Sequence, residues 1–167
     1  MKKKILLVLI FLLIGLSLLF IVNRHEKEIV EEYKDFEVYF STKDAMFLEA
    51  ELRQLAIEDI FVDAIKHLIK GPESIDLSRT IPDGVELIDI DIRSNVAYIN
   101  FNRALIENHW GGSAGEILTV YSIVNTMTGF PDIDAVNIMI EGNKLDSLSG
   151  HLDLSEPIER DESIIQK

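Results

Sequence analysis

Apolar and polar residues alternate along much of this chain in short runs, and the runs are separated by turn-forming residues. Phe36–Ser41 places Val38 and Phe40 on one face, as a strand does. Thr42-Lys43-Asp44 reads as a turn. In Phe47–Ile57, Leu48, Ala50 and Leu52 alternate with Glu49, Glu51 and Arg53, which predicts a second strand although most of these residues are good helix formers. Glu58–Lys70 changes period. Phe61, Ala64, Ile65 and Leu68 make the stripe of an amphipathic helix, with acidic residues first and lysines last, and Gly71-Pro72 ends it. Glu73–Gly84 reads as a loop. Ile88, Ile90 and Ile92, then Ala97, Ile99 and Phe101, predict a hairpin turning at Ser94-Asn95, with Asp89 and Asp91 on its wet face.

Asn108–Pro131 follows: glycines, then a helix that puts Ile117, Val120, Tyr121, Val124 and Met127 on one face. After a loop at Asp132–Asp134, Val136, Ile138 and Ile140 predict a strand. Glu141–Lys144 is then a type II′ turn with Gly142 first of the two central residues, and Lys144–Leu148 returns. Gly150–Leu154 reads as a short edge segment. Ser155–Lys167, charged and with little to bury, predicts a disordered tail. No internal repeat is visible. The pattern describes an α+β domain over residues 36–154, with two helices packed on a mainly antiparallel sheet in the order β-β-α-β-β-α-β-β.

The N-terminus is different in kind. Three lysines precede an uncharged run, Ile5–Val22. Eighteen helical residues span about 27 Å at ~1.5 Å each, enough for a bilayer core. Gly15 and Ser17 offer a small-x-small pair for signal cleavage, but cutting there strands the apolar Leu18–Val22. Residues 1–22 therefore read as a retained transmembrane helix. The lysines put its N-terminus in the cytoplasm and the rest outside. Residues 23–35 form a charged stalk.

Charge narrows the partners. The net charge is −13, and without the three N-terminal lysines 13 basic residues face 29 acidic ones. Such a surface repels phosphate backbones, which excludes nucleic acid as a partner. With no cysteine, there is no disulfide, thiolate metal site, thiol nucleophile or lipoprotein signal.

Gly111-Gly112-Ser113-Ala114-Gly115 has the G-x-S-x-G form of a hydrolase nucleophile elbow. The residues before it do not form a convincing strand, and Ser113 is followed three positions later by Glu116. That spacing predicts a capping box, with the serine capping the helix and the glutamate reaching back. The competing reading is an envelope hydrolase or ligand-binding domain using Ser113 with His151 or His109. A metal site from His109, His151 and Asp153 lacks any short ligand spacing, so no metal or cofactor is expected. Anion capture at the glycine-rich helix start is opposed by Glu116, which would fill it. His67 lies off its helix stripe and reads as exposed, as does His25 in the stalk. Trp110 is either a lid on the core or an interface anchor. The candidate interface is therefore His109, Trp110, Gly111, Gly112 and His151.

Several segments in order are similar to the GerMN domain family of spore germination and sporulation proteins. They are VYFS at Val38–Ser41, AIKHLIKGP at Ala64–Pro72, IPDGVEL at Ile81–Leu87 and VAYINFNRAL at Val96–Leu105. GGSAGEILTVYSIVNTMTGFP at Gly111–Pro131 and GHLDLSEPI at Gly150–Ile158 complete the series. The resemblance implies a domain similar to the ring-building motifs of envelope and secretion assemblies. It implies a membrane-tethered extracytoplasmic protein of a Gram-positive spore former that works by protein–protein interaction, with other envelope or sporulation proteins or copies of itself as partners. It carries no catalytic residues or cofactor, so no enzyme is expected. Family members often have a lipoprotein signal or tandem units; this chain relies on Ile5–Val22 and has one unit.

Overall fold

Among the described residues, two helices and eight strands follow one another with a third, single-turn helix between them. The computed structural model describes residues 32–166. The order is β1 (Tyr33–Thr42), β2 (Leu48–Ala56), α1 (Ile60–Lys70), β3 (Leu77–Ser78), β4 (Leu87–Arg93), β5 (Val96–Phe101), α2 (Ala104–Glu107), α3 (Ser113–Met127), β6 (Ala135–Ile140), β7 (Asn143–Lys144) and β8 (Ile158–Glu159). The expected membrane segment, Ile5–Val22, lies outside the described residues. Among the described residues no helix is long and apolar enough to cross a membrane.

The strands form two sheets rather than one. β2, β1 and β3 make an antiparallel sheet in that order, and β4-β5-β6-β7 make a second, with β8 also pairing with β6. The second sheet is mixed, because β5 and β6 run parallel. A parallel pair needs a crossover connection, and α2 and α3 supply it. Within Phe47–Ile57 the expected strand forms over Leu48–Ala56, and β2 pairs with β1 from Tyr33↔Ala56 to Ser41↔Leu48. β1 therefore begins three residues before Phe36, inside the expected stalk. The expected faces of β2 do not hold along its length, since Leu52 is 69% exposed and Arg53 is buried.

α3 is the axis of the core. Its predicted apolar face is buried at Val120, Val124 and Met127, but Leu118 and Ile123 are buried as well. The helix is enclosed on several sides, and its polar residues face inward and clamp neighbouring elements. Thr126 Oγ1 accepts from the backbone N–H of Tyr39 at 3.1 Å. Asn125 donates to Asp161 O at 2.9 Å and accepts from Asp161 N at 3.1 Å. Such bonds discharge the cost of burying polar side chains. The end of the helix is packed by Phe130, stacked on Phe36 at 3.8 Å and edge-on to Phe61 at 4.9 Å.

Further expectations are corrected. Residues 155–166 do not form a disordered tail. They return as β8, then a 3-10 turn at Glu162–Ile164, and finally Ile165 bridges Leu48. Arg160 fastens this strap by donating to Asn125 O at 2.6 Å and Tyr39 Oη at 2.8 Å. Its apolar residues Ile164 and Ile165 cover Tyr39, Leu48 and Leu118. The hairpin after β6 turns at Glu141-Gly142, with φ of +50° and +79°, and Ile140 pairs directly with Asn143. Positive φ at both central residues is a type I′ turn rather than II′. β7 is only two residues long, and Gly150–Leu154 makes no strand. Within β4, a register shift between Leu87 and Asp89 leaves Ile88 51% exposed instead of buried beside Ile90. The Ser94-Asn95 turn forms as expected, both residues having positive φ. Gly71 closes α1 at φ +90°. His67 is half-buried, not exposed, at 3.8 Å from Asp63.

Candidate functional site

The start of α3 gathers the candidate residues. Gly111 and Gly112 have φ of +74° and +80°, a backbone path that side-chain-bearing residues rarely adopt. They turn the chain out of α2 and into α3. Gly112 is the N-cap, and it has no side chain to cap with. Ser113 is the first helical residue. It is exposed, and no side-chain bond caps the helix. The expected capping box of Ser113 and Glu116 is therefore absent.

Glu116 turns the other way, into the protein, and is fully buried. Its Oε1 accepts from Ser147 Oγ at 2.6 Å, Leu148 N at 2.9 Å and Ser149 N at 3.1 Å. Its Oε2 accepts from His151 N at 2.9 Å. A capping box offers a glutamate one backbone donor; the 147–151 loop offers three and a serine hydroxyl. Burial pushes this carboxyl up, but the bonds from Ser147, Ser149, His151 and Leu148 together hold it below the ordinary carboxylate range. Glu116 is the post to which the C-terminal loop is tied.

His109 is a second tie. Its Nδ1 accepts from the Gly111 backbone N–H at 3.0 Å and lies 3.0 Å from Ser149 Oγ. Its Nε2 is 3.2 Å from Thr119 Oγ1, and that hydroxyl donates its proton to Thr80 O at 2.7 Å. Thr119 Oγ1 must then accept, so the proton of a neutral His109 sits on Nε2 and Ser149 donates to Nδ1. Burial lowers the imidazole pKa, against the opposing pull of Glu116. Both ring nitrogens are committed, Nε2 to Thr119 and Nδ1 to Gly111 and Ser149, which leaves His109 no lone pair for Ser113.

Trp110 is the part that faces out. It stacks on His109 with ring centroids 5.3 Å apart and is 54% exposed. Its indole edge lies against Gly115, where a Cβ would come within 2.7 Å of Nε1. Gly115 is thus small because the indole occupies the space. Beside Trp110 a groove of about 220 Å³ is lined by Ser41–Lys43, Ala45, Ser78–Thr80, Gly111, Gly115 and Leu118.

The remaining candidates do not converge on chemistry. His151 is exposed and joins the site through its backbone N–H alone. Asp153 accepts from Ser155 N and Oγ, not from His151. Among the described residues no group of three His, Asp or Glu side chains is placed to hold a metal ion. Thr80, Thr119, Ser147 and Ser149 belong to the site, yet nothing in the sequence pattern marked them. Their roles come from contacts 31 to 40 positions apart along the chain.

A family model described as Germane, sporulation and spore germination, matches residues 37–146. The fold is similar to the tandem GerMN domains of the sporulation protein GerM from Bacillus subtilis, with TM-score 0.65 and 21% identity over 84% of this chain and 51% of that one. This chain thus spans about half the length of the tandem structure. It is similar also to the first GerMN domain of that protein alone, with TM-score 0.58 and 20% identity over 78% and 98% of the two chains. A protein described as a lipoprotein from Clostridium perfringens aligns with TM-score 0.54 and 28% identity over 78% and 89%. A comparison with curated proteins gives no match. With the family model covering most of the domain and the same α+β fold in these structures, the chain belongs to the Germane family of sporulation and spore germination domains.

Proposed function

We propose that this protein is a membrane-anchored extracytoplasmic assembly domain that serves sporulation or spore germination through protein–protein contact. The observation that carries the reading is Trp110. The sole tryptophan of the chain is held half in water by His109 and Gly115 rather than folded into the core. Tryptophan is enriched among the residues that dominate binding energy at interfaces. Holding the ring against one neighbour in the free protein reduces the ordering cost of association.

The partners in this reading are other envelope or sporulation proteins, or further copies of the chain. The anchor is Ile5–Val22, with Met1–Lys4 on the cytoplasmic side. A mature N-terminus found beyond Val22 by mass spectrometry contradicts the anchor. Catalysis has no part in the reading. His109 is fully hydrogen-bonded, and Ser113 is an exposed first-turn residue without a base in hydrogen-bond contact. The functional test is Trp110→Ala against Ser113→Ala in the cells that make the protein. Loss of sporulation or germination with Trp110→Ala alone, at normal protein level, is expected. Loss with Ser113→Ala alone supports the hydrolase instead.

A further inference from the structure

The groove beside Trp110 has a chemical character of its own. The carboxylate expected to fill the start of α3 is turned inward, toward residues 147–151. The backbone N–H groups of Ser113, Ala114 and Gly115 therefore have no acceptor among the described residues, and the N-cap contributes none. A 15-residue helix concentrates partial positive charge at that end. Gly111 and Gly115 bring it to the groove wall. The groove is lined as well by Lys43, which is exposed and has no ion-pair partner among the described residues, and by Arg79, which is shared with Asp83 at 3.2 Å and with Ile69 O at 2.9 Å. The lining also includes Thr80, 1% exposed, whose hydroxyl has no hydrogen-bond partner. On a strongly acidic protein these groups make one small site for a negative charge, with an indole face at its rim.

We propose that this groove receives a side-chain carboxylate from an acidic segment of a partner polypeptide, with an adjoining apolar side chain lying on Trp110. The inference rests on the assembly reading above and names the chemistry of the contact. A bare inorganic anion uses the N–H groups and Lys43 but leaves the indole uncovered. A Glu or Asp flanked by an apolar residue uses both. The volume, about 220 Å³, suits one side chain rather than a whole ligand.

Because Trp110 is the only tryptophan, its emission in the full-length chain, held in detergent micelles, reports the groove directly. The probes are acetyl-Gly-Leu-Glu-Gly-amide, its Gln counterpart and inorganic phosphate. The Glu peptide is expected to give a saturable blue shift. The Gln peptide, and the Glu peptide on Lys43→Glu, are each expected to bind about tenfold more weakly. Lys43 is exposed, so an unchanged thermal transition shows that this variant is folded. Equal titration by the Glu and Gln peptides, no response to either, or phosphate binding as tightly as the Glu peptide overturns the proposal. If any of these occurs while Trp110→Ala still abolishes function in cells, the interaction reading stands and only the carboxylate site falls.

Discussion

Replacing Glu116 by glutamine keeps the shape of a buried side chain but removes the charge from an acceptor of four hydrogen bonds. The amide oxygen of glutamine can retain the three donors now on Oε1, from Ser147, Leu148 and Ser149. The amide nitrogen then faces the N–H of His151, which has no acceptor. Losing that bond with both groups desolvated costs about 1–3 kcal/mol. The three retained bonds become neutral instead of charge-assisted, at about 0.5 kcal/mol each. The expected loss is about 3 kcal/mol, or about 10 °C in Tm for a domain of this size. Urea and thermal unfolding of the full-length protein, followed by far-UV circular dichroism at pH 7, measure it.

The pH dependence adds a second constraint. The folded pKa of Glu116 lies below its ordinary 4.5, so its contribution is complete above about pH 4.5 and is lost as pH falls through the folded value. The gap between the wild-type and Glu116→Gln proteins must therefore narrow only in that acid range. A gap smaller than about 0.5 kcal/mol at pH 7, or one unchanged at pH 3, refutes the reasoning.

Three further outcomes follow from the same contacts. Ser113→Ala is expected to change stability by less than about 0.5 kcal/mol, against ~1 kcal/mol for a capping serine, as denaturant midpoints will show. Arg160→Ala removes the bonds to Asn125 O and Tyr39 Oη, and is expected to cost about 2 kcal/mol and expose residues 158–166 to limited proteolysis before the rest of the domain unfolds. His109 is neutral at pH 7 and its folded pKa is below the ordinary 6.5, so its part in stability is complete above about pH 6.5 and declines as pH falls through the folded value. Trp110 emission should change across that same range, through the stacked ring, and an apparent pKa above 6.5 would contradict the assigned hydrogen bonds.

The parts of the fold that follow from local periodicity were legible. β2 was recovered because Leu48, Ala50 and Leu52 alternate, even against helix propensity, and α1 because its stripe ends at Gly71-Pro72. The Ser94-Asn95 turn was legible from its position between two alternating runs. What failed was decided at long range. Ser113 and Glu116 fit a local capping pattern, but a loop 31 to 35 residues later supplies Glu116 with more donors. The strap holds few apolar residues among many charges, so its order comes from Arg160, Asn125 and the half-buried Ile164 and Ile165 finding partners. Ile88 kept its place in the alternation, but it is the unpaired residue of a bulge between Leu87 and Asp89, which turned it outward. The site was half legible. The glycines, His109 and Trp110 stood out by composition, whereas whether Trp110 closes the core or faces outward depended on the space left by Gly115.

The central claim is that the face bearing Trp110 meets another protein. A photo-crosslinking residue placed at position 113, exposed at the start of α3 three residues from Trp110, in the full-length chain and activated in sporulating and in growing cells, tests it most directly while keeping the indole. Ile75, 86% exposed, serves as a control site. A discrete adduct from position 113, absent from position 75 and identified by mass spectrometry as an envelope or sporulation protein or a second copy of the chain, is predicted. No adduct at 113 in either growth state, or the same adducts at both positions, contradicts the claim.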